Sequence, residues 1–553
     1  MSEASQPKPR WSVAHWEITV AVSISLAAII LHLLFLTHAG GLWRDEAGGV
    51  QLSALASLGE VWHELTHDSF PGLYVLMLRG WSSLGLGGSD FSLRIFGCIV
   101  GISLLGAIWW NARSWGFRTP LITLSLLACN LSMIRWGDSL RAYGVGCLLI
   151  VLSIGRIWSF VQQPTRARFV VASMAALLSV QCLYPSAFLI AAICLAASLI
   201  CFRRSRNRTG FLALMIGVPA ALSLLPYLRP LKEAQKWWIV EKTGFNAGLI
   251  WNTLSTTLDT PPLLGPVVWI GLVLVACFIG MTMLDKRISR RDALSTDLPL
   301  FGALGIIGGT AGFFIFVVSA GLPTQPWYWL PLLTFLSMCM DAILMKRLAR
   351  ARIGLLIGTA LFGCMSFATS LSQINCRMTN MDQLAAWLTE QAGPEDVIIV
   401  YPWYCGVSFQ RHYHGRSPWT TVPELADHRF HRYDLLKVKL QETEPIRPVI
   451  ERIQRTLNSG GKVWLVGGLP KPEPGETRPP ALPPAPEGSS GWYDEPYNYV
   501  WGRQLEHFLR LYARNVAPLS IGETKCYTRF EEMPLMKISG SAASPLTQRE
   551  TTR

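Results

Sequence analysis

Apolar runs of about 20 residues recur along this chain, and they constrain its fold more than any other feature. A helix of this length spans the hydrocarbon core of a bilayer. About eleven runs qualify, at roughly 16–37, 92–112, 119–134, 142–160, 168–184, 186–202, 211–229, 264–284, 299–320, 326–345 and 353–372. Only 15% of the residues are charged, against roughly 25% in soluble domains. The sequence therefore predicts a polytopic α-helical membrane protein.

The basic residues indicate how the chain is oriented. Lys8 and Arg10 precede the first run, and clusters of arginine and lysine follow the second, fourth, sixth, eighth and tenth runs. Because basic loops remain in the cytoplasm, we expect a multi-pass protein of the inner (plasma) membrane with an extracytoplasmic C-terminal tail. These loops also account for the net charge of +13, so we expect no nucleic-acid partner.

One further apolar stretch, Pro71–Leu86, is predicted not to span. Counting it as a span would place every later basic loop outside, so the charge bias favours a stretch that lies on the outer surface or dips in and returns. Residues 38–91 then form one long outer loop of a membrane module that covers residues 1–375. Within this loop, Val50–Leu65 has the periodicity of an amphipathic helix.

Residues 376–553 have the composition of a soluble domain and predict a small extracytoplasmic α/β fold. The predicted elements are a helix over Asp382–Gln391, buried strands at Val397–Val400 and Val463–Val466, a helix over Gln504–Tyr512 and a last strand at Lys525–Phe530. The Pro-rich stretch 470–490 is predicted to be a loop, and the C-terminal tail to be disordered. Cys376, Cys405 and Cys526 would allow one disulfide outside the cytoplasm, with one thiol left over.

Charged residues gather at the predicted outer mouth of the bundle. Carboxylates beside hydrocarbon are costly unless a cavity or partner receives them, and Asp45-Glu46 directly follow the first span. On the same side lie Arg44, His67, Arg94, Asp138, Arg141, Tyr143, Trp327 and Tyr328, with Lys242 in the 230–263 loop. Arginine suits a lipid-linked phosphate, and a carboxylate can accept the proton of an attacking hydroxyl. The alternative for the arginines is snorkelling to headgroups, and for the aromatic residues an interfacial belt.

The order of these motifs resembles that of membrane glycosyltransferases of the GT-C fold. Asp-Glu follows the first span, His67 precedes Pro71 in the same loop, Ser-Leu-Arg94 opens a span, and Asp138 lies near an Arg-x-Tyr motif. The similar group comprises bacterial relatives of dolichyl-phosphate-mannose protein O-mannosyltransferases and of aminoarabinose transferases. The resemblance covers most of residues 15–420.

The resemblance implies roles for individual residues. Asp45 matches the acid that activates the acceptor, and Glu46 its neighbour, so these two are the expected catalytic residues. The other candidates, from the resemblance or from their charge and position at the outer mouth, are expected to bind substrate: Arg44, His67, Arg94, Asp138, Arg141, Tyr143, Trp327, Tyr328 and Lys242. Family members often carry Arg-Tyr where this chain has Trp327-Tyr328, so the resemblance supplies no phosphate-binding arginine at that loop. The resemblance fixes no cofactor; some relatives use a divalent metal, which Glu46 and His67 would hold here.

The sequence thus predicts transfer of a sugar from a polyprenyl-phosphate donor to an extracytoplasmic acceptor, which is a protein, a lipid or a glycan. Two alternatives remain open at this point. One is a transporter of lipids or small molecules, although this class is typically built from two related halves and no internal repeat is present. The other is a GT-C relative that binds a lipid-linked sugar without catalysis.

Overall fold

The structure is a computed structural model that describes residues 13–237, 245–284, 293–321, 323–347, 351–472, 476, 478–484, 492–521 and 526–541. It has a helical membrane part and a C-terminal α/β domain. The helices of the membrane part are α1 (Val13–His38), α2 (Arg44–Ser53), α3 (Leu58–Glu64), α4 (Leu73–Trp81), α5 (Asp90–Ser114), α6 (Leu121–Thr123), α7 (Leu131–Gly137), α8 (Tyr143–Gln162), α9 (Arg166–Cys182), α10 (Ser186–Arg203), α11 (Asn207–Leu222), α12 (Leu228–Ala234), α13 (Ala247–Leu258), α14 (Leu264–Leu284), α15 (Ala293–Ala320), α16 (Leu330–Arg347) and α17 (Arg352–Gln373).

Nine helical stretches in the described ranges are long and apolar enough to cross a membrane. They are α1, α5, α8, α10, α11 continued by α12, α14, α15, α16 and α17. The other two predicted spans are also helical: α9 has 17 residues, and the 119–134 run forms α6 and α7 with a π-helical turn over Leu124–Ala128. The protein is therefore a polytopic helical membrane protein, as predicted.

The stretch between α1 and α5 does not contain a long helix. Helix α4 and the π turn over Ser82–Leu86 together cover 14 residues, or about 21 Å of helix. This is short of a bilayer core of about 30 Å, as the non-spanning prediction requires. The predicted single helix over Val50–Leu65 was wrong, because α2 ends at Ser53 and Ser57 caps the separate helix α3 by accepting from the Glu60 N–H.

The C-terminal domain contains a mixed five-stranded sheet. Its elements are α18 (Met381–Gln391), β1 (Val397–Val400), α19 (Gly406–His412), β2 (Trp419–Thr421), α20 (Tyr433–Leu440), α21 (Arg447–Asn458), β3 (Lys462–Val466), α22 (Asp494–Tyr512), β4 (Ala513–Leu519) and β5 (Leu535–Ser541). The strand order is β2-β1-β3-β5-β4, with β2, β1 and β3 parallel and β5 antiparallel to both of its neighbours. The predicted α/β fold is confirmed.

Details of this domain differ from the prediction. The last strand is Leu535–Ser541, and the described part of the predicted Lys525–Phe530 strand forms only an isolated bridge at Tyr527. The described residues of the 470–490 stretch contain no helix or strand, and the predicted disordered tail from residue 542 onward lies outside the described residues. Of the three cysteines of the tail, Cys376 and Cys526 form the disulfide, and Cys405 is buried as a free thiol.

The two parts meet around α2. Helix α19 packs against α2, Arg411 pairs with Asp90 at the start of α5, and the turn after β1 places the Tyr404 ring 4.7 Å from the Arg44 guanidinium. The carboxyl end of the parallel strands therefore faces the first turn of α2, which carries the Asp-Glu pair.

Candidate active site

The two acidic residues at the start of α2 have different surroundings. Glu46 is fully buried, and Arg94 of α5 donates to both of its carboxylate oxygens at 3.0 and 2.9 Å. The Leu140 N–H donates to Glu46 Oε1 at 2.9 Å. Arg94 also donates to the carbonyls of Gly40 and Gly41. Glu46 and Arg94 thus join α2, α5 and the turn before α8, and their polar atoms are occupied by one another and by backbone.

The Asp45 carboxylate has fewer and more distant polar partners than the Glu46 carboxylate has. Among the described residues its ion-pair contacts are Arg44 Nε at 3.8 Å and His431 Nε2 at 4.0 Å, both from Oδ1. It lines a small pocket of about 20 Å³, together with Gly48, Gly49, Leu52, His67, Asp68, Arg141, Phe430 and His431. A carboxylate without close donors in a polar pocket is free to accept a hydrogen bond, and then the proton, from a substrate hydroxyl.

Arg141 lies on the opposite wall of this pocket. Its Nη1 donates to the Asp45 carbonyl at 3.2 Å and lies 3.8 Å from Asp68 Oδ1. Its guanidinium also lies 4.6 Å from the centre of the Phe70 ring. Burial raises the pKa of Asp68, and the nearby Arg141 opposes that rise. In the described part of the chain, the buried Nε of Arg141 has no hydrogen-bond partner, so one donor of the guanidinium remains for a ligand.

His67 forms part of the wall next to the C-terminal domain. Its ring stacks on Phe430 and on Trp237, with centroids 6.2 and 5.4 Å apart. Nε2 lies 3.5 Å from Glu64 Oε2, and Nδ1 lies 4.0 Å from Asp434 Oδ1. Burial lowers the pKa of His67, with Asp434 opposing the change. His67 is therefore a packed residue of the pocket wall. It lines the same pocket as Asp45 but does not lie within ion-pair distance of it.

A larger, apolar cavity lies on the other side of the Ser69-Phe70 segment. Its volume is about 360 Å³, and it lies between the ends of α8, α10, α11 and α15. The lining is Ser69, Phe70, Tyr143, Leu183, Tyr184, Pro185, Ala187, Phe188, Leu224, Leu231, Gln235, Phe313, Phe316, Val317, Ser319, Ala320, Thr324 and Tyr328. Phe70 packs edge-on against Tyr143 and also faces Arg141, so it joins the charged pocket to the apolar cavity.

Four other predicted residues lie around the two cavities, in different positions. Tyr143 and Tyr328 stack at 6.2 Å on the wall of the apolar cavity. Trp327 is buried away from that cavity in a cluster with Trp43, Trp136 and Phe530. Arg44 lies between the Trp43 and Tyr404 rings and donates to the Phe530 carbonyl, so it connects the site to the C-terminal domain.

Asp138 points away from the pocket, into the bundle. His32 Nδ1 of α1 lies 2.6 Å from its Oδ2, and Gly101 leaves the space that this pair occupies, because a Cβ there would lie 2.3 Å from Asp138 Oδ1. Lys242, the remaining predicted residue, lies outside the described residues.

The predicted metal pair is not matched by the geometry. Both oxygens of Glu46 already accept from Arg94, and Glu46 does not line the pocket that contains His67. The described residues contain no group of three His, Cys, Asp or Glu side chains that could hold an ion. The residues present therefore do not fit a metal at this position.

Several residues of the site carried no signal in the sequence analysis. His431 and Phe430 come from the C-terminal domain, about 390 residues after Asp45, and no short-range pattern links positions so far apart. Phe70 and Asp68 are within the predicted His67–Pro71 stretch, where a Phe beside an acid is ordinary for a surface loop. Their role follows only from the position of Arg141.

Comparisons with known proteins concern the fold. No protein-family model matches the chain, and no curated relative matches it in sequence. The structure of ArnT from Cupriavidus metallidurans bound to undecaprenyl phosphate aligns at 13% identity and a TM-score of 0.48, covering 80% of this chain and 92% of that chain. The oligosaccharyltransferase of Archaeoglobus fulgidus, in complex with zinc and sulfate, aligns at 13% identity and a TM-score of 0.43, covering 81% and 67%. Its apo form aligns at 12% identity and a TM-score of 0.45, covering 82% and 69%.

Proposed function

We propose that this protein transfers a sugar from a polyprenyl-phosphate donor to an acceptor on the extracytoplasmic side of the membrane. The observation that carries the proposal is the position of Arg141, between the carboxylates of the small pocket and the aromatic wall of the apolar cavity. A lipid-linked sugar has the same order of groups: hydrocarbon, phosphate, then sugar.

The apolar cavity suits the hydrocarbon part of such a donor. Its volume of about 360 Å³ falls in the usual range for small-molecule sites, about 300–1,000 Å³. Nearly all of its wall is aliphatic or aromatic, and burial of apolar surface contributes about 25 cal/mol per Å². The isoprene units next to the phosphate would occupy this cavity, and the rest of the chain would continue into the bilayer.

Arg141 suits the phosphate. Guanidinium groups bind phosphate through two parallel charge-assisted hydrogen bonds, and the buried Nε of Arg141 has no protein partner in the described residues. Its present neighbour Asp68 lies 3.8 Å away, so a phosphate oxygen could approach without the loss of a close ion pair. Arg141 would then offset the charge that develops on the departing phosphate.

Asp45 would act as the general base. It removes the proton from the acceptor hydroxyl while the acceptor oxygen forms a bond with the anomeric carbon. The bond between that carbon and the phosphate oxygen breaks, and its electron pair leaves with the polyprenyl phosphate. Glu46 and Arg94 take no part in this step, because their polar atoms are engaged with each other and with backbone. They hold the first turn of α2, and so position Asp45.

The disulfide supports an extracytoplasmic position for the C-terminal domain. Disulfides persist in oxidising compartments and are rare in the cytosol, and Cys376–Cys526 closes directly after the last helix of the bundle. The basic loops argue for the same orientation. Sugar transfer at the Asp45 pocket would therefore take place outside the cytoplasm.

Incubation of the purified chain with a radiolabelled polyprenyl-phosphate hexose, in the presence of membrane extract as acceptor source, tests the proposal. We expect label to leave the polyprenyl-phosphate donor, and free polyprenyl phosphate to appear in equal amount. Binding of the donor without release of the sugar would contradict catalysis and support the non-catalytic alternative. Movement of intact donor across a proteoliposome membrane would instead support a transporter.

A further inference from the structure

The Asp45 pocket is partly covered by a segment of the other domain. Phe430 and His431 come from the C-terminal domain, and all other lining residues come from the membrane part. The remaining void of about 20 Å³ is the size of one water molecule. A sugar cannot enter this pocket while residues 427–434, here called the 427–434 segment, stay in place.

The 427–434 segment is organised mainly by its own ion pairs. Arg432 pairs with Asp427 at 2.7 Å and with Asp434 at 2.6 Å, and Arg429 pairs with Asp427 at 3.0 Å. These pairs connect residues that lie two to five positions apart, so the segment has a fixed shape of its own.

Its connections to the membrane part run mainly through Phe430, which is buried in an apolar cluster with Leu52, Val61, Leu65, Val75 and Tyr227. The Phe430 ring stacks on His67 at 6.2 Å, and the ion-pair distances from His431 to Asp45 and from Asp434 to His67 are both 4.0 Å. The two ion pairs across the junction, at 4.0 Å, are longer than the pairs within the segment at 2.6–3.0 Å and therefore weaker. For the segment to leave the pocket, the apolar contact of Phe430 has to separate.

The position of the segment in the fold also points to a ligand. It joins β2 to α20 and so begins at the carboxyl end of a parallel strand. In open α/β sheets, ligands bind outside the carboxyl ends of the strands. Here that edge faces the membrane part, and the Trp403 ring after β1 packs against His431 and Tyr433.

We propose that the 427–434 segment is a lid, which lifts from α2 to admit the sugar and holds His431 against Asp45 when it closes. The inference rests on the proposed function, since the sugar is what the lid would admit. His431 is a positioning residue in this scheme: it orients the Asp45 carboxylate. Closure also excludes water, which limits hydrolysis of the donor.

Accessibility of a cysteine inside the pocket tests the lid without any need for activity. A Cβ at Gly48 would lie 3.7 Å from Val407 Cγ1, an ordinary contact, so Gly48→Cys places a thiol on the pocket wall. A water-soluble maleimide should label this thiol slowly in the full-length protein, after subtraction of the labelling of the unmodified chain. Adding Arg432→Ala removes the two shortest internal ion pairs, and with them the shape in which the segment covers the pocket. Labelling should then speed up at least about tenfold, because the covered state becomes less populated.

The matched control is Arg447→Ala in the Gly48→Cys background. Arg447 forms two exposed ion pairs on α21, away from the segment, so the labelling rate should not change. If Arg432→Ala does not fold, Asp434→Asn weakens the same ion pairs more gently. Equal, fast labelling of Gly48→Cys with and without these changes would overturn the lid. Absence of sugar transfer by the unmodified chain would overturn the proposed function and leave the labelling result standing.

The positioning role of His431 has its own test. His431→Ala should lower kcat for sugar transfer about tenfold and leave the donor KM unchanged. His431→Gln, whose amide can contact the same carboxylate, should restore most of the loss. A purely structural role would lower the thermal stability of both variants and would not be rescued by Gln.

Discussion

Asp45 and Glu46 are adjacent in sequence, but successive residues of a helix lie about 100° apart around its axis. This rotation directs Glu46 to Arg94 and the bundle interior, and Asp45 to the pocket and the C-terminal domain. The buried pair fixes the helix, while the neighbouring carboxylate stays without close donors. One dipeptide thus supplies both a structural group and the candidate base.

This division predicts opposite outcomes for two amide substitutions. Asp45→Asn should lower turnover about 100- to 10,000-fold, the usual cost of losing a general base, with no change in the thermal unfolding midpoint. Glu46→Gln leaves the buried Arg94 guanidinium with one acceptor oxygen and without the opposing negative charge. Breaking a buried ion pair costs about 3–5 kcal/mol. It should therefore lower the unfolding midpoint. An Asp45→Asn protein within threefold of the parent in turnover would show that Asp45 is not the base.

Arg141 and Arg94 also have different expected roles: Arg141 binds the donor, and Arg94 supports the fold. Arg141→Lys should raise the KM for the lipid-phosphate donor more than that for the acceptor, because lysine keeps the charge but loses the planar two-donor fork. Arg94→Lys should instead destabilise the fold, since it breaks the bidentate contact with Glu46. Donor titrations at saturating acceptor, combined with thermal unfolding, distinguish the two. A parent-like donor KM in Arg141→Lys would place the phosphate elsewhere, for example beside Lys232 of α12 and Lys236 just after that helix.

Glu531 gives the junction between the two parts a pH-dependent stability. It is buried, accepts from the Arg44 N–H and from Thr379, and lies 3.7 Å from the Arg44 guanidinium. Burial raises its pKa to about 7, although Arg44 opposes the rise. The folded state therefore binds this proton more tightly than the unfolded state does. The stabilising contribution is complete below about pH 4.5 and is lost as the pH rises through 7.

Glu531→Gln should remove this dependence. Relative to the parent, the variant should gain stability between pH 5 and pH 8, by an amount on the order of 3 kcal/mol for a shift of this size. The measurement is the difference between the two unfolding midpoints as a function of pH. A difference that stays constant over this range would mean that Glu531 does not titrate there. Asp494, whose pKa burial raises to about 6, is present in both proteins and cancels in the comparison.

At the scale of elements, orientation can be tested with single added cysteines. Arg208 and Ser459 are both exposed, at the start of α11 and directly after α21. The positive-inside distribution predicts that a membrane-impermeant maleimide labels Ser459→Cys in intact cells, and Arg208→Cys only after lysis. Labelling of Arg208→Cys from outside would reverse the topology and move the Asp45 pocket to the cytoplasmic side.

The elements that the sequence predicted well are those that one local property determines. Long apolar runs define the spans, and the buried Val397–Val400 strand was predicted at its observed boundaries. Strand β4 was not predicted, because its residues are mostly exposed and include a proline, so no apolar alternation marks it. The break between α2 and α3 was also missed, since the cap at Ser57 outweighs a continuous amphipathic pattern.

At the scale of the whole molecule, the site lies between parts that no local pattern connects. The sequence could predict Asp45 and Arg141 as members of one site, since both follow from the outer loops and the family resemblance. It could not predict the pairing of Glu46 with Arg94 as structural, or the presence of His431. These depend on how the two domains dock, through contacts such as Arg411 with Asp90.

The contribution of the C-terminal domain to the pocket has a consequence for biosynthesis. Asp45 is synthesised about 390 residues before His431, which at about 5–20 residues per second takes roughly 20–80 s. Glu531 and the disulfide partner Cys526 follow about 100 residues later still. During that time the acidic turn of α2 has neither its cover nor its junction to the C-terminal domain. A chain that stops before residue 427 would therefore insert its spans and still lack His431 and the cover of the pocket, so a complete site would depend on completed translation of the last third of the protein.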